Sequence, residues 1–163
     1  CPSRGLIGYR SQYLTDTRGT GVIYHNFAEY GPWRGDIKRR HNGVLIALEP
    51  TTTTQYSIFN LQDRGQFFVG PGVDVYEGQV VGLHNRDNDL TVNPGKEKKL
   101  TNIRSAGADE KLILVPPIVM TLEKAIEYMD DNELVEITPS NIRLRKKVLP
   151  QNLRSVKRSE RIT

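Results

Sequence analysis

From residue 43 onward the chain consists mainly of short apolar runs separated by glycine and proline. GVLIALE is almost wholly apolar, TQYSIFNL has the alternation of a strand, and QFFVG, VDVYEG and QVVGLH follow at short intervals. KLILVPPI continues the pattern at 111–118. Many short strands with this punctuation are typical of a sandwich or a barrel. The pattern therefore predicts a β-rich, barrel-like domain.

One amphipathic helix interrupts these strands at TLEKAIEYM, residues 121–129. Its apolar side chains recur at the i, i+3, i+4 and i+7 positions that share one helical face. Thr121 is a suitable N-cap, because its hydroxyl can accept a hydrogen bond from a free amide of the first turn. The spacing predicts a helix with one buried face.

A β-hairpin is predicted directly after this helix, where LVEIT and NIRLR flank Pro139 and Ser140. Symmetric pairing about the turn gives three cross-strand pairs, Ile137 with Ile142, Glu136 with Arg143, and Val135 with Leu144. One face is then apolar, and the other carries an opposite-charge pair worth roughly 0.2–1 kcal/mol. The hydrophobic pattern and the charges thus predict the same register.

The first part of the chain has a different pattern, which predicts a helix over 3–18 and a strand over 20–28. Ser3 is a candidate N-cap and Gly19 a candidate helix stop. A glycine- and proline-rich break, 30–43, then separates this part from the later strands. We therefore predict an α+β chain with two parts, residues 1–33 and residues 34–163.

A helix and one strand cannot form a core alone, so we expect the rest of the first part to lie upstream of Cys1. The chain begins CPSRG without a methionine, which supports the expectation that it is a piece of a longer protein. With a single cysteine the chain forms no internal disulfide and no cysteine-based metal site, and we expect a reducing compartment. No apolar run approaches the roughly 18 residues of a transmembrane helix, and no signal peptide is visible.

The segment NRDNDLTVNPGKEKKLTNIRSAG, residues 85–107, is the longest polar stretch between predicted strands. It contains four asparagines, three lysines and two arginines, but only four aliphatic side chains larger than alanine or proline. A connection of this length without its own structure is usually functional or disordered. The segment is therefore the first candidate for a binding loop.

Charge is unevenly distributed, although the formal net charge of the 163 residues is only +4. The stretch 143–158 contains seven basic residues and no acid, whereas 123–136 contains six acids and one lysine. Such segregation suggests a basic surface that meets phosphates and an acidic helix that faces elsewhere. A solvated surface without a partner explains the same charge runs, so composition alone leaves both interpretations open. Tyr56, Phe59, Phe67 and Phe68 are interpreted as core residues rather than stacking platforms.

Catalytic, nucleotide-binding and metal-binding motifs are absent from the sequence. Gly95-Lys96 lacks both the preceding spaced glycine and the following serine or threonine of a P-loop. His25, His41 and His84 have none of the short spacings of a local metal motif, and we predict no metal site. Asp63, or the pair Asp87 and Asp89, could serve a hydrolase together with His84, but turn residues and caps explain these acids equally well.

An ordered series of motifs resembles a known family. The series consists of PSRGLIGYRSQYLTDTRGTG, NGVLIA, LQDRG, VYEGQVVGLHNRDNDLTVN, KKLTNIRSAGADE, LVPPIVMTLEKAIEYMDDNELVEITP and IRLRKK. It is similar, over about residues 1–150, to the carboxyl-terminal part of the TypA/BipA family. Those proteins are ribosome-associated translational GTPases related to elongation factor G and LepA. NDLTVN together with KKLTNIR is the most specific part of the series.

The resemblance implies a domain plan and a set of partners. Residues 1–33 correspond to the last helix and strand of a ferredoxin-like domain, and residues 34–163 to the family's own carboxyl-terminal domain. The implied partners are the ribosome, through large-subunit RNA, and the acceptor end of A-site tRNA. The implied protein is a cytoplasmic monomer that acts in ribosome assembly and stress-adapted translation, without membrane or DNA contacts. GTP and Mg²⁺ belong to the upstream GTPase part, so we predict no cofactor and no catalytic residue for this chain.

The resemblance also implies which residues meet RNA, because 85–104 matches the family loop that approaches the tRNA end. Together with the basic run after the hairpin, the candidate RNA contacts are Arg86, Asn88, Lys96, Lys98, Lys99, Asn102, Arg104, Arg145, Lys146 and Lys147. Asp89, Thr91 and Asn93 are predicted to shape the loop. Two alternatives remain open: a protein-interaction module using the acidic helix 121–133, and a small stand-alone hydrolase.

Overall fold

The computed structural model describes residues 1–35, 40–97 and 112–154. Three short α-helices and eight strands, with a few 3-10 turns, make up the described regular structure. The helices are α1 (Tyr9–Asp16), α2 (Gln55–Leu61) and α3 (Leu122–Tyr128). The strands are β1 (Val44–Ala47), β2 (Thr51–Thr52), β3 (Gly65–Phe67), β4 (Asp74–Val75), β5 (Gln79–His84), β6 (Leu90–Val92), β7 (Glu133–Ile137) and β8 (Ile142–Lys146). The predicted α+β class is confirmed.

The main sheet is open and mixed, with the strand order β6-β1-β5-β8-β7. β3 pairs with the end of β5, and β2 and β4 form a separate two-stranded sheet. All pairs of the main sheet are antiparallel except β1 with β6, which run parallel. The expectation of a barrel is wrong for the described residues, because the two ends of this strand order, β6 and β7, do not pair with each other.

β1 lies at the centre of the core and is buried on both faces. Leu45 and Ala47 pack on one face with Ile58 of α2, whereas Val44 and Ile46 pack on the other with Ala125 of α3. Side chains alternate across a strand, so one helix covers each face of the sheet at β1. No side chain described for residues 1–35 is buried, so the core that the structure describes is formed after residue 40.

Helix α3 and the register of the hairpin after it are confirmed, although Leu122 and Ile126 of the predicted buried face of α3 are exposed. α3 begins after Thr121, whose hydroxyl oxygen accepts a hydrogen bond from the Lys124 amide at 3.3 Å. In the hairpin, Val135 lies opposite Leu144, Glu136 opposite Arg143 and Ile137 opposite Ile142, as the sequence pattern predicts.

Two strand predictions are wrong. TQYSIFNL forms helix α2, with Thr54 as its N-cap. Ile58 and Leu61 are three residues apart and pack in the same core cluster, which a helix allows, whereas a strand would place them on opposite faces. KLILVPPI forms no strand over its described residues, 112–118. Its two prolines have no N–H to donate, and side chains of α2 and its neighbour take the place of a strand partner. Gln62 accepts from the Val115 amide at 3.1 Å, and Gln55 donates to the Leu112 carbonyl at 3.2 Å.

The first part of the chain is only partly as predicted. The helix over 3–18 is divided into a 3-10 turn, Ser3–Leu6, and α1, and Ser3 lies inside the turn instead of capping it. Gly8 separates the two pieces with a φ of +82°. The predicted strand 20–28 is not formed, because no described strand accepts its hydrogen bonds. The division into 1–33 and 34–163 stays a prediction.

Candidate nucleic-acid interface

Loop 85–89, which joins β5 to β6, is exposed but anchored at its base. The Gly43 amide donates to the Arg86 carbonyl at 2.7 Å, and the His84 amide donates to the Gly43 carbonyl at 2.9 Å. A Cβ on Gly43 would lie 2.1 Å from the carbonyl oxygen of Asn88, so only glycine allows this approach. The imidazole Nδ1 of His84 also contacts that oxygen. The loop therefore projects from the sheet with its backbone held at several points.

Asp89 holds the end of this loop against two strands. Its Oδ1 accepts from the Val44 amide of β1 at 3.0 Å, and its Oδ2 lies 2.7 Å from the ammonium of Lys146 on β8. The carboxylate is partly exposed, whereas the lysine is buried. Asp89 thus couples the predicted binding loop to the hairpin.

A buried ion-pair cluster, defined here as Arg40, Asp89, Glu133 and Lys146, lies beneath the loop. Arg40 forms two parallel hydrogen bonds to Glu133, of 3.0 and 2.9 Å, and Lys146 approaches the same carboxylate at 2.7 Å. Lys146 also donates to the Asn132 side chain at 3.1 Å. Each charge in the cluster has an opposite partner, as buried charges require.

Burial and pairing act in opposite directions on this cluster. Burial disfavours the ionised carboxylate of Glu133, but hydrogen bonds from Arg40 and the charges of Lys146 and Arg40 outweigh burial and lower its pKa. Burial likewise disfavours the charged guanidinium of Arg40, yet the hydrogen bond and charge of Glu133 raise its pKa. Glu133 and Arg40 therefore remain ionised at neutral pH. The cluster fixes α3, β7, β8 and loop 85–89 relative to one another.

This arrangement gives Lys146 a different role from the predicted RNA contact. Its side chain is only 4% exposed, and its ammonium is engaged by Glu133, Asp89 and Asn132. A run of basic residues in a strand places neighbours on opposite faces, so Arg145 points away from Lys146. We therefore remove Lys146 from the candidate contacts and treat it as an internal anchor.

Arg145 lies on the outer face of the hairpin beside an acid. Tyr76 on that face donates to Glu136 at 2.6 Å, and burial together with this hydrogen bond raises the pKa of Tyr76 to about 12. Arg143 lies directly opposite Glu136 in the sheet. Arg145 is half-buried, and its positive charge acts on the pKa of Tyr76 in the direction opposite to that of Glu136.

The second anchored segment is turn 93–96, which follows β6. Asn93 donates to Glu49 at 2.7 Å and accepts from the Gly95 amide at 3.0 Å. Thr54, the N-cap of α2, donates to the Lys96 carbonyl at 2.8 Å. These bonds fix the backbone up to Lys96, whose side chain is exposed.

The other predicted site residues fall into three groups. Arg86, Asn88, Lys96 and Lys147 are exposed. Thr91 and Asn93 are half-buried at the base of the loop. Lys98, Lys99, Asn102 and Arg104 lie outside the described residues, so their assignment as RNA contacts stays a prediction.

Two features of this surface escaped the sequence analysis. Arg64 is exposed, and its carbonyl accepts from the Asn85 amide at 2.9 Å, which places another cation beside loop 85–89. Tyr56 is half-buried and lines a cleft next to Lys96, so its assignment to the core is wrong. Arg64 lies in the motif LQDRG, whose sequence alone does not show that it meets loop 85–89, and Tyr56 lies in TQYSIFNL, whose alternation predicts a strand.

The residues proposed for a hydrolase do not form a catalytic group. Asp89 is engaged by Lys146, His84 contacts a backbone oxygen, and Asp63 lies in a 3-10 turn. None of them lines either of two clefts that open among the described residues. In the same residues, no three histidine, cysteine or acidic side chains gather as a metal site would require. No described helix has the length and apolar character needed to cross a membrane.

Fold and site together define a class: a small α+β domain that presents an anchored polar loop above a buried ion-pair cluster. Comparison with known proteins agrees with this class. Residues 42–151 match the family model described as the TypA/BipA C-terminal domain. The chain therefore belongs to the TypA/BipA family, in agreement with the resemblance of its motifs.

The chain is also similar to curated proteins named large ribosomal subunit assembly factor BipA. It is 54% identical over 93% of its length to the protein of Escherichia coli K12, of which it covers 25%. It is 48% identical over 99% of its length to the protein of Haemophilus influenzae, of which it covers 26%, and 49% identical over 99% to that of Buchnera aphidicola, of which it covers 27%. The chain thus spans about a quarter of these relatives.

Proposed function

We propose that this chain is a ribosome-binding region of a translational GTPase that acts in assembly of the large ribosomal subunit. The name of the relatives supports the assembly role, and the family resemblance supports the GTPase. In this proposal GTP and Mg²⁺ bind upstream, the whole protein works in the cytoplasm, and it acts in stress-adapted translation. The chain supplies contacts to large-subunit RNA and to the acceptor end of tRNA.

The observation that carries the proposal is an exposed loop whose base is fixed by buried charges. Arg86 and Asn88 project from loop 85–89, Lys96 from turn 93–96, and Lys147 follows the buried Lys146. Lysine and arginine side chains neutralise RNA phosphates, and a fixed loop loses little conformational entropy on binding. Single-stranded ends are the parts of RNA whose bases a protein can reach most easily. The geometry therefore suits an RNA end held by phosphate contacts.

The proposal is tested by binding large ribosomal subunits to the chain over a range of salt concentrations. We expect Arg86→Ala, Lys96→Ala and Lys147→Ala each to weaken binding and to reduce the salt slope by about 0.7 to 0.9 per lost phosphate contact. Lys124→Ala on α3 is the matched control, because this lysine lies in the acidic stretch. Unchanged affinity and slope in all three variants would remove the basis for this RNA surface.

The residues outside the described part are tested separately. Lys98, Lys99 and Arg104 replaced together by alanine are expected to weaken ribosome association of the full-length protein and to reduce its salt slope further. If the triple variant binds as the wild type does at every salt concentration, these three residues are not RNA contacts.

A second candidate function is a protein-interaction surface on α3. Leu122 and Ile126 of this helix are 41% and 44% exposed, and Glu123 lies between them in sequence. Residues at i and i+4 share a helical face, so the two apolar side chains form a short stripe. Ribosome association that resists high salt and nuclease, but is lost in Ile126→Asp, would favour this function over RNA contact.

A further inference from the structure

A cleft of about 340 Å³ opens between helix α2 and turn 93–96. Its lining combines an aromatic ring, an aliphatic side chain, polar groups and one cation: Tyr56, Ser57, Asn60, Leu61, Asn93 and Lys96. Small-molecule sites usually occupy roughly 300–1,000 Å³, so this cleft is suited to one small group rather than a large ligand. It lies beside the loop already proposed to meet RNA.

Two of the lining residues, Ser57 and Asn93, form hydrogen bonds that connect the two sides of the cleft. The Ser57 hydroxyl donates to the Asn93 carbonyl at 2.6 Å, and the Asn93 side chain is engaged by Glu49 and the Gly95 amide. A Cβ on Gly95 would lie 1.9 Å from Thr51 Oγ1, so the turn packs closely against β2. A hydrogen bond thus joins α2 to the turn, and the turn packs against β2.

The other polar groups of the cleft remain available. Tyr56 and Asn60 are one helical turn apart and share a face of α2. The Asn60 amide nitrogen donates to the Tyr56 carbonyl at 2.8 Å, which leaves its side-chain oxygen as an acceptor. Within the described part of the chain, neither the Tyr56 hydroxyl nor the Lys96 ammonium has a hydrogen-bond or ion-pair partner. A ring, an acceptor and a cation therefore face one space.

We propose that this cleft binds a single unstacked nucleotide of RNA. The base packs against the Tyr56 ring and Leu61, Asn60 accepts a hydrogen bond from the base edge, and Lys96 pairs with the adjoining phosphate. Stacking on an aromatic ring tolerates any base, so the cleft adds affinity with little sequence selectivity. The inference rests on the proposed function, since it assigns one nucleotide of the same RNA partner to a defined pocket.

Another cleft among the described residues has a different chemistry, which supports this choice. It has about 210 Å³ and is lined mainly by Gln62, Gln66, Asn85, Phe67 and Val115. No charged side chain lines it, so nothing there pairs with a phosphate. The cleft at Tyr56 thus has a cation beside its aromatic ring, and the other cleft has no cation beside Phe67.

The test uses the complete chain and a single-stranded tetraribonucleotide, with an oligonucleotide of equal charge but lacking its bases as the comparison. We expect the base-free oligonucleotide to bind about 5- to 160-fold more weakly, because stacking one base is worth roughly 1–3 kcal/mol. Tyr56→Leu should weaken binding of the normal oligonucleotide by the same factor, whereas Tyr56→Phe should change it less than about twofold. Tyr24→Leu, at a tyrosine that is 89% exposed, is the matched control.

The salt slope separates failure of the cleft from failure of the RNA surface. Tyr56→Leu removes no charge, so its slope should equal that of the wild type. If both oligonucleotides bind equally well and in a salt-dependent way, with no effect of Tyr56→Leu, that result would contradict the nucleotide site in the cleft but would agree with the proposed RNA-binding surface. If neither oligonucleotide shows salt-dependent binding, both the nucleotide site in the cleft and the RNA-binding surface are wrong. The comparison of the two oligonucleotides on wild-type protein needs no variant, so a folding defect in Tyr56→Leu does not prevent a decision.

Discussion

At the scale of single residues, the largest difference from the sequence interpretation concerns two adjacent lysines. Lys146 is 3% exposed and bound in the ion-pair cluster, whereas Lys147 is exposed. The two residues have the same chemistry, but Lys146 is the last residue of β8 and is buried, whereas Lys147 follows the strand and is exposed. Only some of the cations in a basic run of a strand are therefore exposed and able to bind a partner.

Glu133 holds two buried cations, so its removal should be costly. Glu133→Gln leaves Arg40 and Lys146 without their shared carboxylate, and we expect a loss of about 3–5 kcal/mol in the free energy of unfolding. The measurement is urea denaturation at pH 7. Glu29→Gln, at an exposed position, is the control and should change stability little. A loss below about 1 kcal/mol for Glu133→Gln would contradict the structural role of the cluster.

The same carboxylate predicts a dependence of stability on pH. The pKa of Glu133 is lowered from its ordinary value of 4.5 in the folded chain, so below pH 4.5 the unfolded chain binds more protons. The contribution of the ionised Glu133 to the free energy of unfolding is therefore complete above pH 4.5, and it is lost as the pH falls through the folded-state pKa. We expect the free energy of unfolding of Glu133→Gln to decrease less steeply with falling pH than that of the wild type. Unfolding curves measured between neutral pH and pH 3 test this expectation. If the free energy of unfolding falls with pH equally in both proteins, the lowered pKa of Glu133 is contradicted.

Gly43 is the residue on which the geometry of loop 85–89 depends most directly. In Gly43→Ala the new methyl group would lie 2.1 Å from the Asn88 carbonyl oxygen, and we expect a loss of about 1–3 kcal/mol. Loop displacement should also weaken RNA binding. Gly31→Ala is the matched control, because no atom lies within 4 Å of its new Cβ. The measurement is the thermal unfolding midpoint of both variants. Equal midpoints would show that the loop adjusts to the new methyl group without loss of stability.

At the scale of elements, α2 shows how one short segment can carry two patterns. The alternation of TQYSIFNL predicts a strand with Tyr56 in the core, whereas the helix places Tyr56 and Asn60 beside Lys96. The N-cap geometry at Thr54 favours the helix, since its hydroxyl oxygen accepts from the Ser57 amide at 3.1 Å. The candidate nucleotide cleft therefore exists only because this segment is helical.

Thr54 should contribute more than an ordinary helix cap, because its hydroxyl also donates to the Lys96 carbonyl. We expect Thr54→Ala to reduce stability by about 0.5–2 kcal/mol and to weaken RNA binding, while Thr54→Ser retains both properties. Thr121→Ala removes a cap on α3 without touching turn 93–96 and should lower stability alone. Denaturation and RNA titration of the three variants provide the measurement. If Thr121→Ala weakens RNA binding as much as Thr54→Ala, the turn has no special link to the site.

At the scale of the whole molecule, the described core is formed by residues of the second predicted part. Its two clusters of buried residues extend from Val44 to Leu144. The described side chains of residues 1–35 include several exposed aromatics, such as Tyr24, Tyr30 and Trp33. The first part thus adds little to the burial that stabilises the sheet.

Deletion of residues 1–33 tests the predicted boundary. Because the buried clusters are retained, we expect the shortened chain to unfold at nearly the same temperature as the full chain and to bind RNA with the same salt slope. Deletion of 1–48, which also removes β1, is the control and should abolish cooperative unfolding. A large decrease in midpoint for the shorter deletion would place the boundary elsewhere.

The sequence by itself determined the features that depend on neighbouring residues. The hairpin register followed from matched apolar and charged positions on either side of Pro139 and Ser140, and α3 followed from its cap and its helical spacing. The motif series likewise led to the correct family. These features were predictable because the interactions that specify them lie within a few residues, or within the ordered series itself.

Only the tertiary structure decided which cations are exposed and where the cleft lies. Arg40 and Glu133 are 93 residues apart, and Lys146 meets Asp89 from another strand, so no local pattern predicts that these charges neutralise one another. The strand order likewise places β1 between β5 and β6 and leaves the sheet open. Ion pairing and strand pairing depend on distance in space, and the chain brings these partners together only when it folds.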